Sequence, residues 1–426
     1  MASDRVVIVN GARTPFARAR SVYQKMPPSM LGGIALRETI ARSDLDPKLV
    51  EEVYFGIVSA PAEGTNVSRE SLFDSGLPPG IPCTTVNRYC ASSAEAVAGI
   101  AGKIMAGQIE IGIAGGVESI SSIRALFSQE ATDYFQDLGR AKTTGQRLQK
   151  LSQFKPKLLM PFAPGIKEPT TGLTMGQSAD LMAREFKVTR EEQDKYSVDS
   201  HLKAHNAWER GFYKTHVVPV ATPDGKIVDR DTDVRADTSV EKLATLRPVF
   251  YKDGTITAGN ASPLTDGASA VLMMKESRAK ELGLKPLGVL RGYSATAIDV
   301  KKEPLLIAPA YAIPKALKNA GVTWNDIDLI EMHEAFAAQA LSTIRAIESK
   351  QWAQEKLGLG QAIGSIDYSR FNVNGGSLPL GHPFGATGTR LVLQTLHELR
   401  SRQKSLGLIS ICAAGGLGSV MILEAI

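Results

Sequence analysis

Residues 36–56, LRETIARSDLDPKLVEEVYFG, and residues 313–333, IPKALKNAGVTWNDIDLIEMH, read alike without a gap at an offset of 277. In each, a helical stretch runs to a polar or glycine break and an acidic turn follows. An alternating strand then closes the unit, with Val50, Val53 and Phe55 in one copy and Ile327, Ile330 and Met332 in the other. A second echo pairs 113–119, IAGGVES, with 413–419, AAGGLGS. Each follows a buried-looking strand (109–114 and 406–412), and each of those strands follows a helix of small and apolar residues (91–105 and 386–399). Strand, helix, strand, reactive turn, helix, strand is therefore spelled twice. Alternation of this kind predicts α/β layers, and helices with small residues all round predict burial between sheets.

Between the copies the character changes. Residues 121–247 carry basic amphipathic segments (140–157), a proline-rich break (Pro161, Pro164, Pro169) and a strongly charged helix (189–210). A stretch with its own helical periodicity is expected to form a lid or substrate-binding unit. The division that follows is 1–120 plus 248–280 as an N-terminal half, 121–247 as an inserted loop domain, and 281–426 as a C-terminal half. Core patterning resumes with a short strand at 255–258, a turn into a helix at 260–267, and a buried strand at 270–274.

A chain of 426 residues is long enough for two or three domains and needs no staple to be stable. The formal charge of +5, from 49 basic and 44 acidic residues, is too small and too evenly spread for nucleic-acid binding, though it would help hold an anionic substrate. No basic leader with an apolar core opens the sequence, and no apolar run of about 18 residues would span a bilayer. Three cysteines without CxxC spacing fit a reducing compartment, with the cytoplasm as the default, and argue against a disulfide framework or a zinc site.

Cys90 stands in VNRYCASS (86–93), where a strand-like run gives way to a small-residue helix. Burial statistics for a lone cysteine favour an inert core thiol. The helix start moves the reading toward a nucleophile, because exposed first-turn amides favour thiolate and predict a depressed pKa. His382 lies in LGHPFGATG (380–388), a glycine-dense turn with few side chains to pack around it; no lysine follows Gly388, so a phosphate loop is excluded. Cys412 ends an apolar strand before Gly415 and Gly416, at the edge where α/β proteins collect active-site groups. It is a candidate acid and base at carbon, with neighbouring amides able to receive an oxyanion. His333 and Glu334 begin a His-Glu pair, but Ala337 stands where a zinc motif needs its second histidine, so no metal is expected. Cys83 reads as structural, and His201, His205, His216 and His397 as solvated residues on charged helices or their exits.

Taken together, VNRYC(90)ASS, TAGNAS(262), H(333)EAF, GH(382)P and C(412)AAGG resemble the ordered motif set of the thiolases, and the resemblance covers nearly the whole chain. His333, where most members have Asn, and the stretch GGSLPLGHPFGATG resemble the thiolase (beta) subunit of the fatty-acid β-oxidation trifunctional complex.

The resemblance implies two thiolase halves in five layers, α/β/α/β/α, with a loop domain over the site. It implies cleavage of medium- or long-chain 3-ketoacyl-CoA by CoA, with CoA as co-substrate and no prosthetic group. Cys90 would be the nucleophile and acyl carrier, His382 its base, and Cys412 the acid that protonates the departing enolate. His333 and His382 would hold the enolate oxygen, while the backbone N–H groups of Cys90 and Ala414 would hold the tetrahedral oxygen. Met175, Ala258 and Ser262 match positions lining the pantetheine channel. Ala414 stands where many thiolases have glycine, and Thr174 where many short-chain relatives have His, which weighs against a simple acetoacetyl-CoA preference. The resemblance also implies a homodimer and a complex with a hydratase/dehydrogenase alpha subunit, with the basic, apolar insertion of 121–170 able to dock that partner or a membrane surface. Two other readings stand beside this one. A biosynthetic acetoacetyl-CoA thiolase would run the Claisen condensation, and a thiolase-like lipid-binding protein would have lost Cys90, His382 or Cys412, all of which are present.

Overall fold

Helix, single turn and strand recur at the 277-residue offset in the computed structural model, which describes residues 4–161 and 167–426; residues 1–3 and Pro164 of the proline-rich break lie outside them. The first copy is the helix Pro28–Ser43, the turn Pro47–Leu49 and the strand Glu52–Gly56; the second is Ala308–Ala320, Trp324–Asp326 and Leu329–Met332. Both helices stop at a left-handed residue, Asp44 at φ 49° and Gly321 at φ 66°. Both turns are then capped by an aspartate, Asp46 receiving the Lys48 amide and Asp326 the Thr323 amide.

Nine strands run edge to edge as Leu329–Met332, Leu406–Ala413, Leu417–Ala425, Gly288–Ala297, Val6–Arg13, Thr265–Lys275, Ile111–Glu118, Glu52–Gly56 and Cys83–Val86. The join at the middle is slight, two residue pairs, Val7 with Val289 and Ile8 with Gly288. On either side of it the pairing pattern repeats. Val6–Arg13 pairs antiparallel with Thr265–Lys275, which is antiparallel to Ile111–Glu118, and that strand is parallel to Glu52–Gly56. In the second half Gly288–Ala297, Leu417–Ala425, Leu406–Ala413 and Leu329–Met332 pair in the same senses. The parallel edge strand Cys83–Val86 has its counterpart in a single parallel bridge between Ile330 and Phe371.

The helices Ser92–Met105 and Thr387–Ser401 lie between the half-sheets. Their Val97, Ile100, Leu391 and Leu393 share one apolar cluster with Ala114 and Val271 of one half-sheet and Ile409 and Met421 of the other. Pro28–Ser43 and Val67–Ser75 cover the far face of the first half-sheet, and Ala308–Ala320 and Ala337–Glu348 that of the second. These are the five layers. Among the described residues no helix is long and apolar enough to cross a membrane.

The glycine echo is corrected by the sheet register. Glu52 pairs with Gly112 and Leu329 with Gly407, so these two strands correspond at an offset of 295, not the 300 of the echo. The glycines answer different demands. Gly115 and Gly116 lie inside a strand, where a Cβ would meet the Phe55 ring at 2.4 Å or the Gly385 carbonyl oxygen at 1.9 Å. Gly415 and Gly416 turn a hairpin at φ 73° and 66°.

Three further expectations are overturned. Residues 255–258 form no strand, because the amides of Thr255 and Ile256 bond to the Asp180 carboxylate at 2.7 and 3.2 Å instead of a neighbouring strand. No helix follows residue 260; the strand Thr265–Lys275 begins there directly. His201 and His216 are buried, not solvated, and His216 stacks on His397 with ring centroids 5.2 Å apart.

Burial holds His201, His216, His333, His382 and His397 below the usual histidine range. The unfolded chain takes up these protons near pH 6.5 and the folded chain does not, so their stabilisation is present above that pH and lost below it. Glu118 and Glu331, pushed up by burial to about 7 and about 8, act in the opposite sense. Burial raises Asp266 and Glu185 as well, by less, so the five imidazoles against these four carboxyls set the sign. Thermal melts should show the midpoint falling as the pH is lowered from about 7 to about 5, and a midpoint that rises over that interval would contradict this balance.

Candidate active site

The nucleophile candidate is lifted out of the chain by a tight turn between the strand Cys83–Val86 and the helix Ser92–Met105. Tyr89 sits at φ 48°, a conformation that costs a non-glycine residue on the order of 1 kcal/mol or more. Its amide donates to Asn87 Oδ1 at 2.9 Å, and Ser92 Oγ donates to its carbonyl at 2.6 Å while accepting the Arg88 amide at 2.9 Å. The turn carries Cys90 to the wall of an apolar cavity of about 400 Å³. His382, Cys412 and Ala414 from the second half line the same cavity, beside Met175, Phe250, Leu306, Phe336 and Phe384.

Cys412 is the penultimate residue of the strand Leu406–Ala413 and is buried. The hairpin after it is pinned by Glu168, whose carboxylate accepts the Gly415 amide at 2.8 Å, and the Ala414 amide lies against the Cys90 sulfur. His382 follows the short helix Ser377–Leu380 and Gly381, at φ 94°. Its Nδ1 meets Thr387 Oγ1 at 2.7 Å. Thr387 Oγ1 spends its own hydrogen on the Pro383 carbonyl at 3.0 Å, so it accepts from Nδ1–H and leaves the lone pair on Nε2. That Nε2 is buried and has no hydrogen-bond partner among the described residues. A ring nitrogen of His382, one of His333 and the Cys90 sulfur all lie within 4.8 Å of one another, and the two rings are 4.0 Å apart at their centroids.

One predicted property fails. Cys90 does precede a helix, but its thiol is pushed up to about 12, not down. Burial is the largest cause, and the nearby Glu118 carboxylate adds to it; the amides of Ala414 and Cys90 only partly offset them. The residue touches the cavity, yet dense apolar surroundings withhold the water a thiolate needs. His382 is pushed down to about 3 by burial and Arg390, and Cys412 is held well above the usual thiol range by burial and by Cys90. Resting thiol and imidazole are therefore both neutral.

Met175 and Ser262 line the cavity, as does Thr174, which caps the helix Met175–Glu185. Ala258 does not line it; it faces a smaller neighbouring pocket with Arg18, His201 and Asp233. His333 is fully buried behind the wall. Glu334, next to it, is a hub: its carboxylate accepts from Tyr196, Ser200, Asn372 and the Leu378 amide. Cys90, His333 and His382 are also a donor set of the kind a zinc ion takes, the one such group among the described residues.

Sequence reasoning passed over Glu118, which is buried at the end of a strand. Its carboxylate accepts the amides of Val58, Ser59 and Gly385 at 2.9–3.0 Å and so ties the first half to the loop that carries His382. An acid ending an all-apolar strand was the available signal. Glu168, Ser377 and Arg390 were also missed; Arg390 alone announced itself, as a charge on a helix otherwise read as buried.

Residues 6–277 match the thiolase N-terminal domain and residues 284–425 the thiolase C-terminal domain. The chain belongs to the thiolase family. It is 47% identical to a 3-ketoacyl-CoA thiolase of Serratia proteamaculans over 99% of this chain and 97% of that protein, and 46% identical to one of Photobacterium profundum over the same shares. Among solved structures it resembles the Bacillus anthracis acetyl-CoA acetyltransferase, with a TM-score of 0.85 at 32% identity, and human mitochondrial 3-ketoacyl-CoA thiolase, with 0.83 at 28%. Each of these alignments covers both chains in full.

A thiol raised this far should react slowly near neutrality and faster with every step toward alkali. Iodoacetamide inactivation should gain about tenfold in rate per pH unit beyond pH 9. A rate already level by pH 8 would show a low-pKa thiolate instead.

Proposed function

We propose that this thiolase cleaves 3-ketoacyl-CoA with CoA, giving acetyl-CoA and a shortened acyl-CoA through an acyl-Cys90 intermediate. The observation that carries the reading is the meeting of Cys90, His382 and Cys412, contributed by both halves, on one apolar cavity. His382 Nε2 takes the Cys90 proton as the sulfur attacks the 3-keto carbon, so charge is created only when substrate can accept it. The amides of Cys90 and Ala414 face the new oxyanion, a donor of this kind contributing about 3 kcal/mol, or roughly a hundredfold in rate. The bond between C2 and C3 then breaks, its electron pair leaves as the enolate of acetyl-CoA, and Cys412 gives C2 its proton. A thiol held well above its usual range keeps that proton until it is needed. The entering CoA attacks the thioester carbonyl; His382 gives the proton it holds to the Cys412 thiolate, takes the CoA thiol proton, and passes that one to the departing Cys90 sulfur, so both cysteines end as thiols.

The apolar walls at Phe250, Leu306 and Phe336, with Thr174 on the same lining, favour a medium- or long-chain acyl group. The Claisen condensation uses the same groups in reverse. Cys90→Ala should abolish turnover and the acyl adduct seen by mass spectrometry, and Cys412→Ala should slow cleavage at least about a hundredfold. A chain-length series with free CoA decides the substrate class; activity confined to acetoacetyl-CoA would overturn the long-chain reading in favour of a biosynthetic enzyme.

The division into two halves and a loop domain at 121–247 belongs to the same proposal. So does a homodimer, supported by the half-exposed strand Cys83–Val86, which has a neighbour on one side only. The helices Gln129–Arg140 and Thr144–Ser152 and the turn Pro156–Leu159 leave Phe135, Leu148, Leu151 and Leu159 exposed among basic residues. Exposed apolar side chains gathered in one segment among charged ones fit a protein partner, here a hydratase/dehydrogenase subunit. Leu148→Glu with Leu151→Glu should abolish co-elution with that subunit while leaving turnover within about twofold. Retained co-elution, or loss of vesicle sedimentation alone, would move the face from a partner to another role.

A further inference from the structure

The two neighbouring imidazoles differ in what stands behind them. Arg390 is fully buried on the central helix Thr387–Ser401, and its Nη2 donates to Ser377 Oγ at 2.8 Å. A guanidinium has no acceptor to offer, so in that bond the Ser377 oxygen must accept. The hydroxyl keeps one hydrogen. Among its contacts within the described residues the acceptor open to that hydrogen is His333 Nδ1, at 2.8 Å. A neutral imidazole that accepts at Nδ1 carries its proton on Nε2, and His333 Nε2 is buried without a partner among the described residues. Thr387 imposes the reverse on His382, as described above. One hydroxyl is spent on the carbonyl of Pro383 and the other is released by a guanidinium.

We infer that Arg390 and Ser377 form a relay that fixes His333 as the Nε2–H tautomer, making it a proton-bearing donor to the enolate oxygen beside a His382 that is held as a base. Arg390 and Ser377 are positioning residues, since neither reaches the reacting atoms. The inference rests on the proposed role of His333 at the enolate oxygen. Without the relay, two adjacent and chemically similar rings could exchange tautomers, and a lone pair on His333 Nε2 would repel the oxyanion it should bind. The same assignment bears on the zinc-type donor set. A metal at His333 Nε2 would need the lone pair that the relay places on Nδ1.

Gln394 holds the far side of the relay, donating to Glu331 at 2.9 Å and to the Gly375 carbonyl at 3.0 Å, and it accepts weakly from Arg390 Nη1 at 3.5 Å. The buried guanidinium is thereby held between Ser377 and Gln394, with the Glu331 and Glu334 carboxylates as opposite charges nearby. It gives up its hydration on burial, a cost these contacts offset in part.

The test is direct, since the chain has six histidines. Nitrogen-15 spectra of histidine-labelled protein, with the His333 signals found by their loss in His333→Asn, should show a protonated Nε2 and an acceptor Nδ1 in the wild type. The opposite pattern would overturn the relay whatever the variants do. Ser377→Ala should shift His333 toward the other tautomer and lower kcat about a hundredfold, with KM for the 3-ketoacyl-CoA within about twofold. A fall in kcat with the tautomer unchanged would make Ser377 merely structural and overturn the inference. Should His333→Ala, which removes the donor altogether, leave kcat within a few-fold, the role of His333 fails, while the spectra still decide the tautomer separately.

Discussion

Everything at the site depends on how closely the first turns of the two central helices approach. A Cβ at Gly388 would stand 2.4 Å from the Ala94 nitrogen, and the Thr389 amide donates to Ser93 Oγ at 3.1 Å. Only glycine permits that contact. Cys90 lies just before one helix and His382 just before the other, so the contact delivers a thiol from one half and an imidazole from the other to a common wall. Glu118 then locks the arrangement by accepting amides from both halves. The half-sheets themselves, joined by two residue pairs, contribute little to this alignment.

The chamber so formed is walled mainly by apolar side chains, and its electrostatics follow from that. Burial raises both thiols and lowers both imidazoles, which leaves four potentially charged groups neutral at rest. A ready-made thiolate-imidazolium pair would react with any electrophile that entered. Under the proposed function ionisation waits on a substrate carbonyl that can receive the charge, and the amides and His333 would be the groups to meet it.

The sequence was most informative where local chemistry is self-contained. The 277-residue repeat was legible because helix stops, aspartate-capped turns and alternating strands are written in neighbouring residues. The grouping of Cys90, His382 and Cys412 on one cavity was legible because each stands where few other roles suit it. The glycine echo misled because one dipeptide serves two needs, close packing in a strand at Gly115 and Gly116 and left-handed turning at Gly415 and Gly416. The thiol's direction of shift was misread because a helix start is local, whereas desolvation is the work of walls contributed from across the chain. Glu118, Glu168 and Arg390 went unnoticed for the same reason. Glu118 and Glu168 accept backbone amides 59 residues or more away, which sequence does not display, and Arg390, though only 13 residues from Ser377, meets that serine through the fold.

The register that corrects the glycine echo also shows what the second copy of the scaffold has become. At an offset of 295, Ser92 corresponds to Thr387, so Cys90 falls opposite Gly385, His382 opposite Asn87 and Cys412 opposite Val117. Asn87 is occupied in bracing the Tyr89 turn, and Val117 is core. The architecture thus holds two symmetry-related places for a reaction centre and furnishes one of them. The vacant twin supplies the buttress, through Asn87 and Gly385, against which the working centre is held.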